Sequence, residues 1–230
     1  HQGDLDELAH IGRQVGGHLL SLAAGLKAQA PDGYHSILIP HWTLSGAVAS
    51  NGAREFGGEP VLSVNALVAQ GWDAVLAGHI HKPQVLRANP LVAHTGAFQR
   101  IDFGEERDER GFLLYDTETG EAEFVELPAW RLATIQWEPE QVEDFLAWPQ
   151  LRAEDAQAAA GAIVRLKYRA MPEQAQAIDH SALSRLLGQA GALYVAGILP
   201  EVVASDRARA QLDETVDRKS TRLNSSHRIR

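Results

Sequence analysis

Residues 74–83, Ala-Val-Leu-Ala-Gly-His-Ile-His-Lys-Pro, constrain this chain more than any other stretch. Ala74–Ala77 is an apolar run with the length of a buried strand, and Pro83 cannot carry a strand further. Gly78-His79-Ile80-His81 therefore lies at the carboxyl end of that strand. Two imidazoles at i and i+2 can turn toward one point there. The glycine before them lets the backbone bend and come close to what they hold. Neutral imidazole is a common ligand of zinc, manganese and iron. The same residues also fit a pair of solvated loop histidines.

A third histidine weighs against that plainer reading. Ile37-Leu38-Ile39 is a short apolar strand stopped by Pro40, and His41 follows at once. A glycine-rich loop from Ser45 to Pro60 and a helix expected over Val61 to Gln70 lead from it to Ala74. Two consecutive strands, joined through a helix and each ending in histidine, are the arrangement in which α/β proteins gather a site at neighbouring carboxyl ends. The spacing predicts that His41, His79 and His81 converge on one metal centre.

The flanking segments fill in the domain. Leu8, Ile11, Val15, Leu19, Leu22 and Leu26 recur at intervals of three and four, which predicts an amphipathic helix over residues 5–30. Gly12, Gly16 and Gly17 weaken it. Pro31-Asp32-Gly33 is a turn. Beyond residue 83 the pattern turns to β. Gln84 to Ala88 and Leu91 to Thr95 flank Asn89-Pro90, and Gly111 to Asp116 and Glu121 to Leu127 flank a hairpin loop. Pro128 marks a shift to a βα-type module. Strands are expected over Arg131–Trp137, Ala162–Ala170 and Ala192–Leu199, the last stopped by Pro200. Helices are expected over Pro139–Trp148, Arg152–Ala160 and Ser181–Ala190.

The 230 residues suffice for one large domain or two small ones, and 45% of them are hydrophobic. No apolar run approaches the ~18 residues of a membrane span. The absence of cysteine excludes disulfides and thiolate metal sites and fits a reducing, cytoplasmic compartment. The chain begins with His1 rather than Met, so the natural N-terminus is expected upstream, and nothing follows about a signal peptide. Asp217 to His227 resembles a translated sequencing adapter, so Asp217–Arg230 is set apart from functional reasoning. The whole chain carries −9; that tail holds five basic residues and one acidic, leaving −13 on residues 1–216. Bulk charge therefore gives nucleic-acid binding no support, which would have to come from a local basic patch or bound metal.

Three stretches together carry a family resemblance: His41-Trp42-Thr43-Leu44-Ser45-Gly46-Ala47, Gly78-His79-Ile80-His81-Lys82-Pro83-Gln84, and Gly96 to Glu105 with its Ile101-Asp102-Phe103-Gly104-Glu105, followed by Gly111-Phe112. They look like the SbcD/Mre11 family of DNA-repair nucleases, a branch of the calcineurin-like metallophosphoesterases. The resemblance covers residues 35–130 well and the module after Pro128 loosely. It implies an α/β fold: the distal half of a calcineurin-like β-sandwich flanked by helices over residues 1–128, then a small βα DNA-binding cap over 129–216. It also implies two divalent metal ions, usually manganese, with His41 and His79 on one and His81 on the other. The activity implied is exonuclease or endonuclease cleavage of double-stranded DNA in repair, recombination and replication. The implied partners are the duplex and an SbcC/Rad50-like ATPase, with a homodimer inside a heterotetramer and no membrane. The family's Asp-x-His, Gly-Asp-x-x-Asp and Gly-Asn-His motifs are absent from these residues, so the chain is expected to hold half a site and to be inactive alone. Rival readings are a small-molecule phosphodiesterase of the same superfamily, against which the module after Pro128 argues, and a non-catalytic piece that docks to the ATPase.

Other side chains admit two readings. Val164, Leu166 and Tyr168 alternate with Arg165, Lys167 and Arg169, so the basic face either contacts phosphates or is simply solvated. Asp102, Glu105 and Glu106 can ligate metal in principle, but their loop position before a hairpin favours a structural role. His94 reads as core or as a support for a ligand. Trp42 and Thr43 flank a candidate ligand and either line the site or, the favoured reading, simply pack. His10, His18, His35 and His180 have no partners by spacing.

Overall fold

The computed structural model describes residues 2–53 and 58–203, and the adapter-like tail lies outside them. Contacts divide the chain into two units, residues 1–130 and 131–230. Both are mixed α/β.

The first unit opens with helix α1, Gln2–Lys27. Strands β1 (Ile37–Leu38), β2 (Thr43–Leu44) and β3 (Val61–Leu62) follow, then helix α2 (Val64–Ala69), capped by the Ser63 hydroxyl on the Ala66 amide. Next come β4 (Ala74–Ala77), β5 (Gln84–Arg87), β6 (Leu91–His94), a 3₁₀ turn at Phe103–Glu105, and the hairpin β7 (Gly111–Tyr115) and β8 (Ala122–Glu126). The main sheet has the order β1-β4-β6-β5, with β1, β4 and β6 parallel and β5 antiparallel. Its inner strands, β4 and β6, are almost wholly buried because both faces of the sheet are covered there. Val75, Ala77 and Val92 pack with Ala23 of α1 and Leu67 of α2, while Ala74, Leu91 and Ala93 pack beneath Leu113 and Tyr115 of the hairpin.

Helix α1 inverts the expected face. Leu8, Ile11, Val15, Leu22 and Leu26 are exposed, whereas Gly12, Gly16 and Ala23 are buried. A Cβ at Gly12 would run into the Gly58 carbonyl, whereas one at Gly16 would only reach contact with the Val61 carbonyl. This small-residue side of α1 is thus the contact surface, and at Gly12 only glycine lets backbone approach backbone. The stretch expected as one helix from Val61 begins instead with β3, which pairs in parallel with β2.

The second unit is a three-stranded parallel sheet, β9 (Arg131–Trp137), β10 (Ala162–Ala170) and β11 (Tyr194–Val202), in the order β11-β10-β9. Helices α3 (Pro139–Ala147), α4 (Ala153–Ala159), α5 (Pro172–Ala177) and α6 (His180–Gln189) pack on one face. Val164, Leu166 and Tyr168 of β10 meet Val142, Phe145, Leu183 and Leu187 there. Pro200 does not stop the last strand: β11 continues to Val202, with Pro200 opposite Tyr168. Proline is tolerated because β11 lies at the edge, where a missing N–H costs no ladder bond. Trp137 Nε1 donates to Asp155 at 2.9 Å, and Arg152 grips both oxygens of the same carboxylate. Among the described residues no helix is long and apolar enough to cross a membrane.

Candidate functional site

Strands β1 and β4 are hydrogen-bonded neighbours running the same way, so their chains emerge side by side at one end of the sheet. The Gly78 amide donates to the Pro40 carbonyl at 2.9 Å and ties the two exits together. A Cβ on Gly78 would stand 2.6 Å from His41 Nδ1, so glycine is needed here to seat a ring. As a result the His41 and His79 rings meet edge to face, with centroids 5.6 Å apart and planes at 74°.

His79 has φ +77°, the one non-glycine residue with positive φ among those described. A side chain in that region costs roughly 1–3 kcal/mol and persists only where its surroundings impose it. His79 Nε2 lies 3.2 Å from Glu59 Oε2, and the other oxygen of Glu59 accepts the Thr43 hydroxyl. Glu59 sits in a loop without periodicity, and no local pattern in the sequence marks it.

His81 has a separate carboxylate. Its Nδ1 is 2.7 Å from Glu105 Oε1, and Glu105 Oε2 accepts from the Ile101 amide at 2.9 Å and from Arg110 Nη2 at 2.9 Å. Arg110 is fully buried and also donates to the His81 carbonyl at 2.7 Å. Arg100 donates to the carbonyls of Glu105 and Asp108, and Asp102 caps the 3₁₀ turn through the Gly104 amide. The Ile101-to-Glu105 stretch is therefore a clamped loop that delivers one buried carboxylate to His81. His79 and His81 line one cleft of about 250 Å³ with Asn51, Asp102 and Glu105 in its wall.

His94, 1% exposed, sits behind Gly78. Its Nδ1 is 2.9 Å from the Gly78 carbonyl, an acceptor, and its Nε2 is 3.4 Å from the Leu44 amide, a donor. Only the neutral Nδ1–H form satisfies both. Burial pushes its pKa below the ordinary histidine value; the Gly78 carbonyl opposes that shift, and charge on His79 adds to it.

The structure thus brings His41 and His79 together and holds His81 on Glu105. Imidazole is suitable donor chemistry for a transition metal, and His81 has the carboxylate support that metal-binding histidines commonly have. Yet among the described residues no three histidine, aspartate or glutamate side chains gather closely enough to hold an ion. The fit is that of a partial ligand set.

The basic residues of β10 lie on the face away from the helices. Arg165 donates to Thr134 Oγ1 at 3.0 Å, and Arg169 reaches Glu138 at 3.1 Å and Glu201 at 3.6 Å. Lys167 is exposed. Three histidines expected to lack partners have them: His18 contacts the Gln14 carbonyl, His35 lies 4.0 Å from Asp73, and His180 meets the Tyr168 hydroxyl at 2.8 Å.

No known family profile matches this chain. Over 90 residues it is 30% identical to the Exonuclease subunit 1 of Enterobacteria phage T4, a match that takes in 39% of this chain and 24% of that protein. The chain therefore spans about a quarter of that relative's length.

Proposed function

We propose that the chain carries part of the site of a metal-dependent phosphodiesterase of the SbcD/Mre11 type, a nuclease acting on double-stranded DNA. The observation that carries the reading is the pairing of His41 with His79 at the ends of two hydrogen-bonded parallel strands, with His79 in a strained conformation. Strain of this kind marks functional positions because selection for stability alone would remove it. Similarity over 90 residues to a protein named as an exonuclease subunit supports the nuclease part of this reading. A sheet covered by helices on one face and a hairpin on the other is consistent with the distal half of a calcineurin-like sandwich.

In this reading His41 and His79 would hold one divalent ion, manganese by resemblance, and His81 would contribute to a second. When bound, such ions would supply Lewis acidity toward a phosphodiester. The residues of this chain do the rest. His41 and His79 offer neutral nitrogens that add no negative charge against a phosphate. Gly78 lets the two rings approach, and His94 anchors the Gly78 carbonyl behind them. The missing carboxylate motifs leave these residues able to bind an ion but unable to complete the pair. A duplex is the proposed substrate, with the exposed Lys167 of β10 the basic side chain offered to its phosphates. An SbcC/Rad50-like ATPase is the proposed partner.

The test is a manganese titration followed by calorimetry on the 230-residue chain and its His41→Ala and His79→Ala variants. The reading expects binding by the parent that both variants lose. Equal binding by all three overturns it.

A further inference from the structure

We propose that Glu105, held by Arg110, is a positioning residue that fixes His81 as the Nδ1–H tautomer and keeps its Nε2 lone pair free for a ligand in the cleft. Glu105 Oε2 already accepts two donors, the Ile101 amide and Arg110 Nη2, each at 2.9 Å. With a guanidinium against it, the carboxyl group is an acceptor on both oxygens. The short contact from Oε1 to His81 Nδ1, 2.7 Å, then requires the imidazole to donate. The proton sits on Nδ1, and Nε2 is the ring's single remaining acceptor.

Burial makes the assignment firm. The Glu105 and Arg110 side chains are 6% and 0% exposed, against 32% for His81, so two dry charges steer one accessible ring. Arg110 works at both ends, since its Nη1 also holds the His81 carbonyl at 2.7 Å. Backbone and ring of one residue are thus fixed from a segment more than twenty positions away. Fixing the tautomer is what an outer carboxylate does for a metal-bound histidine. The tautomer stands on these contacts alone; its use toward a metal rests on the function proposed above.

Glu105→Gln gives a sharp test, because the amide is nearly isosteric. Its oxygen must face the two donors at the Oε2 position, which turns the NH₂ group toward His81 Nδ1. That nitrogen must then accept, and the proton moves to Nε2. Long-range ¹H–¹⁵N correlation on the labelled 230-residue chain, well above the histidine pKa of about 6.5, reads the tautomer directly. The parent is expected to show Nδ1–H at His81, and Glu105→Gln to show Nε2–H with the His94 pattern unchanged. A merely structural role for Glu105 would leave the tautomer as it was. A parent showing Nε2–H overturns the proposal without any variant, so a misfolded Glu105→Gln cannot shield it. So does a folded variant that keeps Nδ1–H.

Added Mn²⁺ provides the second arm. Paramagnetic broadening of the His81 ring is expected to need about 10–100-fold more metal in Glu105→Gln than in the parent, the usual cost of losing such a support. Equal sensitivity in the two proteins overturns the positioning role. If the parent shows Nδ1–H but no broadening, the tautomer assignment stands and the metal-directed role of Glu105 falls, while the proposed function is decided separately by the manganese titration of the His41→Ala and His79→Ala variants.

Discussion

The His41 ring lies edge-on to the His79 ring, 5.6 Å between centroids, in the space that a side chain at position 78 would fill. The contact depends on an atom that is absent. Gly78→Ala places a methyl carbon 2.6 Å from His41 Nδ1, and because Gly78 is tied to the Pro40 carbonyl, the ring must move instead of the backbone. The expected result is a fold that survives with manganese affinity down by about tenfold or more. Calorimetry beside circular dichroism checks it, and unchanged affinity would show that the ring contact is incidental.

Stability and function should diverge at His79. Glycine accepts φ +77° without strain, so His79→Gly is expected to raise stability by roughly 1 kcal/mol. The lost pair with Glu59 is half-exposed and offsets little. The same variant should lose metal binding. Urea unfolding and a manganese titration on one sample decide it; a destabilised His79→Gly contradicts the strain argument.

Acid should weaken the first unit through His94. Its pKa is lowered in the folded state, chiefly by burial, so the unfolded chain takes up its proton first as pH falls. Stability from this residue is complete above about 6.5, the unfolded value, and is lost as pH drops from there through the lowered folded value. His94→Gln should flatten the dependence of the urea midpoint on pH in that window. An unaltered slope would place the acid sensitivity elsewhere.

In the second unit, Asp155 joins Trp137 to Arg152. Asp155→Ala strands a buried indole N–H and a part-exposed guanidinium, at a cost of roughly 2–3 kcal/mol. Asp155→Asn, which can still accept from the indole, should cost less. Chemical denaturation of both variants checks the order.

The basic strand can be divided residue by residue. Arg169→Glu sets a third carboxylate beside Glu138 and Glu201, so it should destabilise the unit by up to about 1 kcal/mol. Lys167→Glu should leave stability alone and, if the strand meets phosphate, reduce the salt slope of duplex binding by about one unit. Binding isotherms at several salt concentrations separate the two, and an unchanged slope for Lys167→Glu returns this face to solvent.

Local pattern made part of this legible. The hairpin of β7 and β8, the strands of the second unit and the turn at Asn89-Pro90 follow from alternation and breakers over a few residues. The adjacency of His41 and His79 followed from strand ends, because neighbouring parallel strands must end together. Partners set by tertiary packing were beyond reach. Nothing near Glu105 in sequence announces His81, and nothing in the Ser45–Pro60 loop singles out Glu59. Two-residue strands such as β2 and β3 are too short to show a period. On α1 the period was right and the face wrong, since hydrophobicity cannot foresee that a backbone-to-backbone approach at Gly12 will choose the side that is buried.

The strand that runs through Pro200 has a consequence for encounters between copies of the protein. An open sheet border offers a ladder of donors and acceptors onto which a further chain can template itself, the first step toward cross-β stacking. Among the described residues no strand covers the outer border of β11, and Leu199 and Val202 there are exposed. Proline in the middle of that border removes one rung, and Glu201 next to it brings charge. Pro200→Val would restore the rung and extend an apolar run, turning a guarded margin into an adhesive one.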